Sequence, residues 1–350
     1  GVIIGGNSTT NFASSTSTFG ACAVATCSAS LITSTTANVL VNTDTWMGYN
    51  NSSTTAGTPS QFNTSGTVSI IPKSTAGFAW ISTANIGMAS TVSGITLGRD
   101  QTTNNTGWSL SSAWSINGPI LTYGGTINIA ANQTVNATGS EFLAKATAAV
   151  IASNNITTSG GAITLWSDAD NANDGGIRVN GALSSSGGNI TLSGGTNLAT
   201  GFAKGDANVV RTFVNGANNL NGYVGVLIYG SLNSGAGNIL IRGQDSSSKF
   251  TSSGNNLHDY GTGVEMIRGS SITATTGSVT IFGNVASNQT DTTVWHCGTL
   301  LGNLGTGSAI PITTTTGDIS ITGDTSNNNL STFRYGLGLY GTSVTSTSGN

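Results

Sequence analysis

Charge is what this sequence most lacks. Only 10 Lys+Arg and 13 Asp+Glu occur in 350 residues, so 7% of the side chains are charged, against roughly a quarter in ordinary soluble domains. That deficit argues against most enzymes, and a formal charge of -3 gives no electrostatic footing for nucleic acid or an acidic membrane surface. Proline is nearly missing, with 4 residues beside 50 glycines in no G-X-Y period, which excludes collagen and proline-rich linkers. No apolar run approaches the roughly 18 residues of a spanning helix. The opening Gly1 to Asn7 has no basic region and too short an apolar run for a signal peptide, so the expectation is a removed leader or a chain cut from something longer.

Cysteine is scarce as well. Cys22, Cys27 and Cys297 are too few for a disulfide framework and lack zinc-type spacing. Cys22 and Cys27 could close a small loop in an oxidising compartment. Cys297, beside His296, reads as a small buried hydrophobe rather than a nucleophile. A 37% hydrophobic content and a mean hydropathy of +0.06 argue against disorder, since disordered chains avoid apolar residues. The good helix formers Glu, Lys, Arg, Gln and Met are few while Val, Ile and Thr are plentiful, and this predicts an all-β chain. The segment Glu141 to Ser153 (EFLAKATAAVIAS) fits either a short helix or a strand followed by a bend.

What the chain does have is a repeat. Alignment on the glycines gives GIRVNGALSSSGGNITLSGG from Gly176, GVLIYGSLNSGAGNILIRGQ from Gly225, GVEMIRGSSITATTGSVTIFGN from Gly263 and PITTTTGDISITGD from Pro311. An apolar residue is followed seven positions later by another: Ile120 and Ile127, Ile156 and Ile163, Leu183 and Ile190, Leu232 and Ile239, Ile272 and Val279, Ile312 and Ile319. A Ser/Thr/Gly bend lies between them, and period-two alternation runs on either side, as in Ile190-Thr191-Leu192, so each unit reads as two strands joined by a bend. From Ile127 the matching residue recurs at Ile163, Ile190, Ile239, Val279 and Ile319, in steps of 36, 27, 49, 40 and 40 residues. Unequal steps suit a solenoid, whose coils touch only their neighbours and can shed extra residues as outside loops. A parallel β-helix with irregular loop insertions is therefore predicted, repetitive over 119–350 and less regular over 1–118, with Thr196 to Tyr223 as an outside loop.

The phrase NITTSGGAITLWSDADNANDGGIRVNGALSSSGGNITLSGG from Asn155, with the later SGAGNILIRG and TGSVTIFGN, resembles the repetitive regions of filamentous-haemagglutinin-like bacterial exoproteins. The likeness covers about Pro119 to Asn350. It implies a right-handed β-helix, export through an outer-membrane partner, and an adhesin at the cell surface or outside it. The two ends carry a further expectation. Val2, Ile3 and Ile4 in VIIGGN match VTIFGN from Val279, the strand that the repeat calls for after Leu337, Leu339 and Val344. Tail and head thus read as complementary, through a longer chain, a tandem array or head-to-tail copies.

Candidate chemistry is sparse. Asn42-Thr43-Asp44 matches one of four segments shared by polygalacturonases, and the other three are absent. His258-Asp259 and His296-Cys297 have no serine in a nucleophile elbow, so no catalytic residue and no cofactor is assigned. Asp168, Asp170 and Asp174, with Asn171 and Asn173, are a weak calcium candidate: the order fails the EF-hand pattern, and a turn capped by Asx hydrogen bonds is preferred. Trp46, Trp80, Trp108, Trp114, Trp166 and Trp295 fall at no regular interval, which favours packing over a sugar-stacking groove. Triplets such as Asn136-Ala-Thr138 and Asn189-Ile-Thr191 follow from composition. The expectation is an extracellular rod whose partners are its own copies or adjoining segments, with host or matrix glycans as loop ligands. A carbohydrate-active β-helix enzyme or tailspike, and an S-layer-like lattice protein, are the alternatives.

Overall fold

A computed structural model describes residues 10–13, 17–19, 31–33, 36, 38–48, 60–78, 80–84, 86–104, 106–172, 175–215, 218–246, 260–286, 295–302, 308–326 and 333–350. Among them there is no helix. Strands instead build sheets of 12, 9 and 8 strands and two of 3, paired in parallel except for one added antiparallel strand in the 9-stranded sheet. The segment open to either reading resolves as strand, bend and strand, Phe142–Ala146 and Val150–Ala152.

The chain visits the large sheets in rotation. Phe142–Ala146 lies in the 12-stranded sheet, Val150–Ala152 in the 9-stranded sheet and Ile156–Thr158 in the 8-stranded sheet. Ile163–Ser167 then returns to the first sheet, with Ile163 opposite Phe142. Within each strand the alternation of apolar and polar residues becomes inside and outside: Ile163, Leu165 and Ser167 are buried, while Thr164 and Trp166 face outward and are half-buried. In-register pairing sets like over like. Ile95, Ile120, Phe142, Ile163, Ile190, Ile239 and Val279 are successive partners, and all are buried. At about 25 cal/mol per Å² of apolar area, such stacks are the main favourable term. The stack runs through the Ile95–Ile120 pairing, so the first sheet is continuous across residue 118.

One repeat match needs correction. The residue that stacks below Phe142 and Ile163 is Ile120, the direct partner of Phe142, whereas Ile127 lies in the 9-stranded sheet, opposite Trp108 and Val150. The pair Ile120 and Ile127 therefore spans a different corner from the later pairs, such as Ile156 and Ile163. A glycine-rich bend follows an apolar strand at both corners, and local sequence does not distinguish them.

The corner from the 8-stranded to the 12-stranded sheet has a recurring chemistry. A buried hydroxyl donates to the carbonyl three residues on: Thr158 to Gly161, Ser185 to Gly188, Ser234 to Gly237 at 2.6 Å, and Thr314 to Gly317 at 2.6 Å. At Gly237 a β-carbon would run into the carbonyl of Gly188 in the preceding round, so close approach of two backbones requires glycine. The following residues form an outer ladder: Asn189 Oδ1 accepts from Asn238 N at 2.9 Å, Asn238 Oδ1 from Ser278 N at 2.8 Å, and Asp318 Oδ1 from Asn350 N at 2.8 Å. Asn189, which heads a glycosylation-type triplet, thus has its side chain engaged between rounds.

Candidate functional site

Insertions concentrate at one corner. Most links from the 9-stranded to the 8-stranded sheet are short, as from Ala152 to Ile156 and from Val179 to Leu183, with a longer one from Leu301 to Ile310. Between the 12-stranded and 9-stranded sheets the chain carries much more, as from Gly194 to Asn218 and from Gln244 to Tyr260. Extra residues added there leave the stacked interior undisturbed, and loops of this kind carry sequence individuality.

The segment expected as an outside loop, Thr196 to Tyr223, holds regular structure in its described part. Ala203–Lys204 joins the 12-stranded sheet beside Gly243 and Gln244, and Val210–Asn215 pairs antiparallel with Asn218–Ile228. A small apolar cluster of Ala149, Val209, Val224 and Leu227 forms beneath it, separate from the main core. Alternation breaks down at Leu227, which points outward from its strand and is buried by the insertion.

The few charges gather along the same edge. Lys204 Nζ lies 3.2 Å from Asp168 Oδ2, and Arg211 pairs with Glu265, whose side chain is 2% exposed. His296 Nδ1 lies 2.9 Å from Asp245 Oδ2, and Asp245 Oδ1 accepts from Ala286 N. The backbone of Gly261 passes beneath this pair, where a β-carbon would strike both the carboxylate and the imidazole. Burial raises the Asp245 carboxyl, partly offset by the bonds from His296 and Ala286. Lys145 Nζ lies 2.6 Å from Asp100 and 4.3 Å from the centre of the Trp166 ring, whose Nε1 donates to Gly195 O at 2.6 Å. Arg242 sits between Phe202 and Phe282, 4.4 and 4.9 Å from their ring centres, and donates to Gly201 O and Thr200 O. Each arrangement fastens an inserted segment to a strand of the stack, with charge buried only where it finds a partner.

His296 and Cys297 are neighbours in sequence, but they do not form a dyad. The Cys297 thiol donates to Thr299 O at 3.2 Å, and desolvation pushes it up to about 12. His296 Nε2 has no hydrogen-bond partner among the described residues. Asp168 is buried against Lys204, and Asp170 Oδ1 accepts from Ala172 N at 3.3 Å; Asp174 lies outside the described residues. The lysine ammonium stands beside the acidic turn that was the calcium candidate. Asp44 Oδ1 accepts from Ser74 N at 2.6 Å. Trp108 and Trp114 are buried. Cys22, Cys27, Val2, Ile3, Ile4, His258 and Asp259 all lie outside the described residues.

The last round differs from the others in exposure. Leu337, Leu339 and Val344 are 40%, 50% and 45% exposed, whereas their partners Thr299, Leu301 and Ile312 are at 0%. Ile319 and Ile321 are half-buried.

Sequence signals for the charge pairs were slight. Asp245 and His296 are 51 residues apart, and the available hint was that charges, rare elsewhere, follow the glycine that ends a first-sheet strand, as in Gly243-Gln244-Asp245. No family model, curated protein or solved structure matches the chain. No helix among the described residues is long and apolar enough to cross a membrane.

Proposed function

We propose that the protein is a structural rod: a right-handed parallel β-helix from a bacterial surface or secreted adhesin, extended axially by further rounds of the same kind. The observation that carries this reading is parallel pairing, strand after strand, along the main path of each large sheet, with buried apolar residues stacked from one strand to the next. Right-handedness follows the general preference of crossovers between parallel strands. Strand edges with unpaired backbone groups invite a further strand, and the Asn/Ser/Asp ladder supplies side-chain acceptors for its amides. A second copy of the chain, adding its own strands to the end face, is the occupant we propose. Loops along the charged edge are then displayed at a distance from the cell, and glycans are the ligand class we assign to them.

Imaging of native material by electron microscopy tests this. A continuous rod with an axial repeat near the strand spacing of about 4.8 Å is expected. Compact particles would reject the rod reading, planar arrays would favour a lattice protein, and cleavage of polysaccharides by the purified chain would favour the enzyme alternative.

A further inference from the structure

Lys204 meets two acceptors of different chemistry. Its Nζ lies 2.8 Å from Asn171 Oδ1 and 3.2 Å from Asp168 Oδ2. The Asp168 side chain is fully buried and that of Lys204 is 14% exposed. Asp168 and Asn171 belong to one turn, closed by Asn171 N donating to Asp168 O at 2.8 Å. Lys204 comes from a separate segment, 33 residues on, and its own backbone N donates to Gly175 O at 3.0 Å. An amine, a primary carboxamide and a buried carboxyl group are thus held together from two directions.

We propose that Lys204 and Asn171 become joined by an intramolecular isopeptide bond, with Asp168 as the proton carrier. In the reacting form one proton has passed from Lys204 Nζ to the Asp168 carboxylate, leaving an amine with a free lone pair beside a carboxylic acid. The amine lone pair attacks Asn171 Cγ, forming the Nζ–Cγ bond, while the Asp168 hydroxyl protonates Oδ1. The carboxylate so formed takes a second proton from Nζ. The carbonyl re-forms as Oδ1 gives up its proton, the Cγ–Nδ2 bond breaks, and protons relayed through Asp168 complete the departing ammonia. One amine and one carboxamide become one secondary amide and ammonia, with no oxidation or reduction and no co-reactant. Fixed placement of the reacting groups replaces a bimolecular encounter, the source of large effective molarities in intramolecular reactions.

The product would tie Ala203–Lys204, at the edge of the 12-stranded sheet, to the turn after Ile163–Ser167. The insertion would be clamped covalently to the stack, whatever the role of the whole molecule.

Mass spectrometry of the full chain tests the proposal. The intact protein is expected to be lighter than its sequence by one ammonia. Trypsin is expected to leave Lys204 uncut and to release a branched peptide joining Ala146–Arg178 to Val179–Arg211. Asn171→Ala, at an exposed turn position, is expected to restore the sequence mass while keeping the β-rich circular dichroism spectrum. Asn171→Asp is expected to restore the link with loss of water. Asp168→Asn is expected to leave the residues unlinked. A wild-type chain of full sequence mass that is cut after Lys204, a mass loss persisting in Asn171→Ala, or deamidation of Asn171 with Lys204 free would each overturn it.

Discussion

Cys297 shows how burial sets chemistry at single positions. Its thiol is covered, donates to Thr299 O, and is pushed by desolvation up to about 12, so at neutral pH it stays a thiol rather than the reactive thiolate. Alkylation of the native protein should leave the Cys297 peptide unmodified, and denaturant should make it react fully; labelling in the native state would show the site to be open. Asp206 carries a pH dependence. Its oxygens accept from Asn208 N at 3.0 Å, Val209 N at 3.2 Å and Asn208 Nδ2 at 2.7 Å. Desolvation outweighs these bonds and raises the carboxyl above its usual range. The folded state then holds the proton more tightly than the unfolded chain, so this stabilisation is complete below the ordinary aspartate value and is lost as pH rises through the folded value. Relative to Asp206→Asn, the wild-type Tm should fall as pH climbs through that window and run parallel above it. Curves parallel throughout would show that the proton is not linked to folding.

The corner built from a buried hydroxyl and a glycine is the unit that sets register between strands. Ser234 donates to Gly237 O, and the Gly237 backbone lies against Gly188 O with no space for a side chain. A Gly237→Ala substitution has to push two rounds apart, at a cost of about 1–3 kcal/mol, typical of overpacked sites. A Tm lowered in proportion is expected in thermal melts, and an unchanged Tm would mean that the corner yields. These corners were legible as Ser/Thr/Gly bends between apolar residues seven apart, because hydroxyl, bend and glycine are all local. Which sheet each bend joined was not legible. Ile120 and Ile127 share the spacing of the later pairs yet span another corner, since sheet membership is fixed by the neighbouring round and not by the bend itself.

Over the whole molecule, the exposed round at Leu337, Leu339 and Val344 is where the rod reading makes its sharpest demand. A Leu339→Asp substitution places a charge on the face that a further round would cover, and burial of an unpaired charge is strongly unfavourable. Sedimentation should show shorter assemblies with little change in Tm, because the side chain is already half exposed. Assemblies of unchanged length would remove the end face from the interface. The all-β class and the inside–outside alternation were readable from the residues alone, because scarce charge, abundant β-branched residues and period-two patterning act within a few residues. The sequence also marked the insertions, as interruptions of the repeat. Long-range packing, by contrast, gave Thr196 to Tyr223 its strands, buried Leu227 on an outward face, and brought Asp168 to Lys204 and Asp245 to His296. Those contacts join residues tens of positions apart, and their distance in space depends on how many residues each round sheds before rejoining the stack. Local periodicity carries no record of that length.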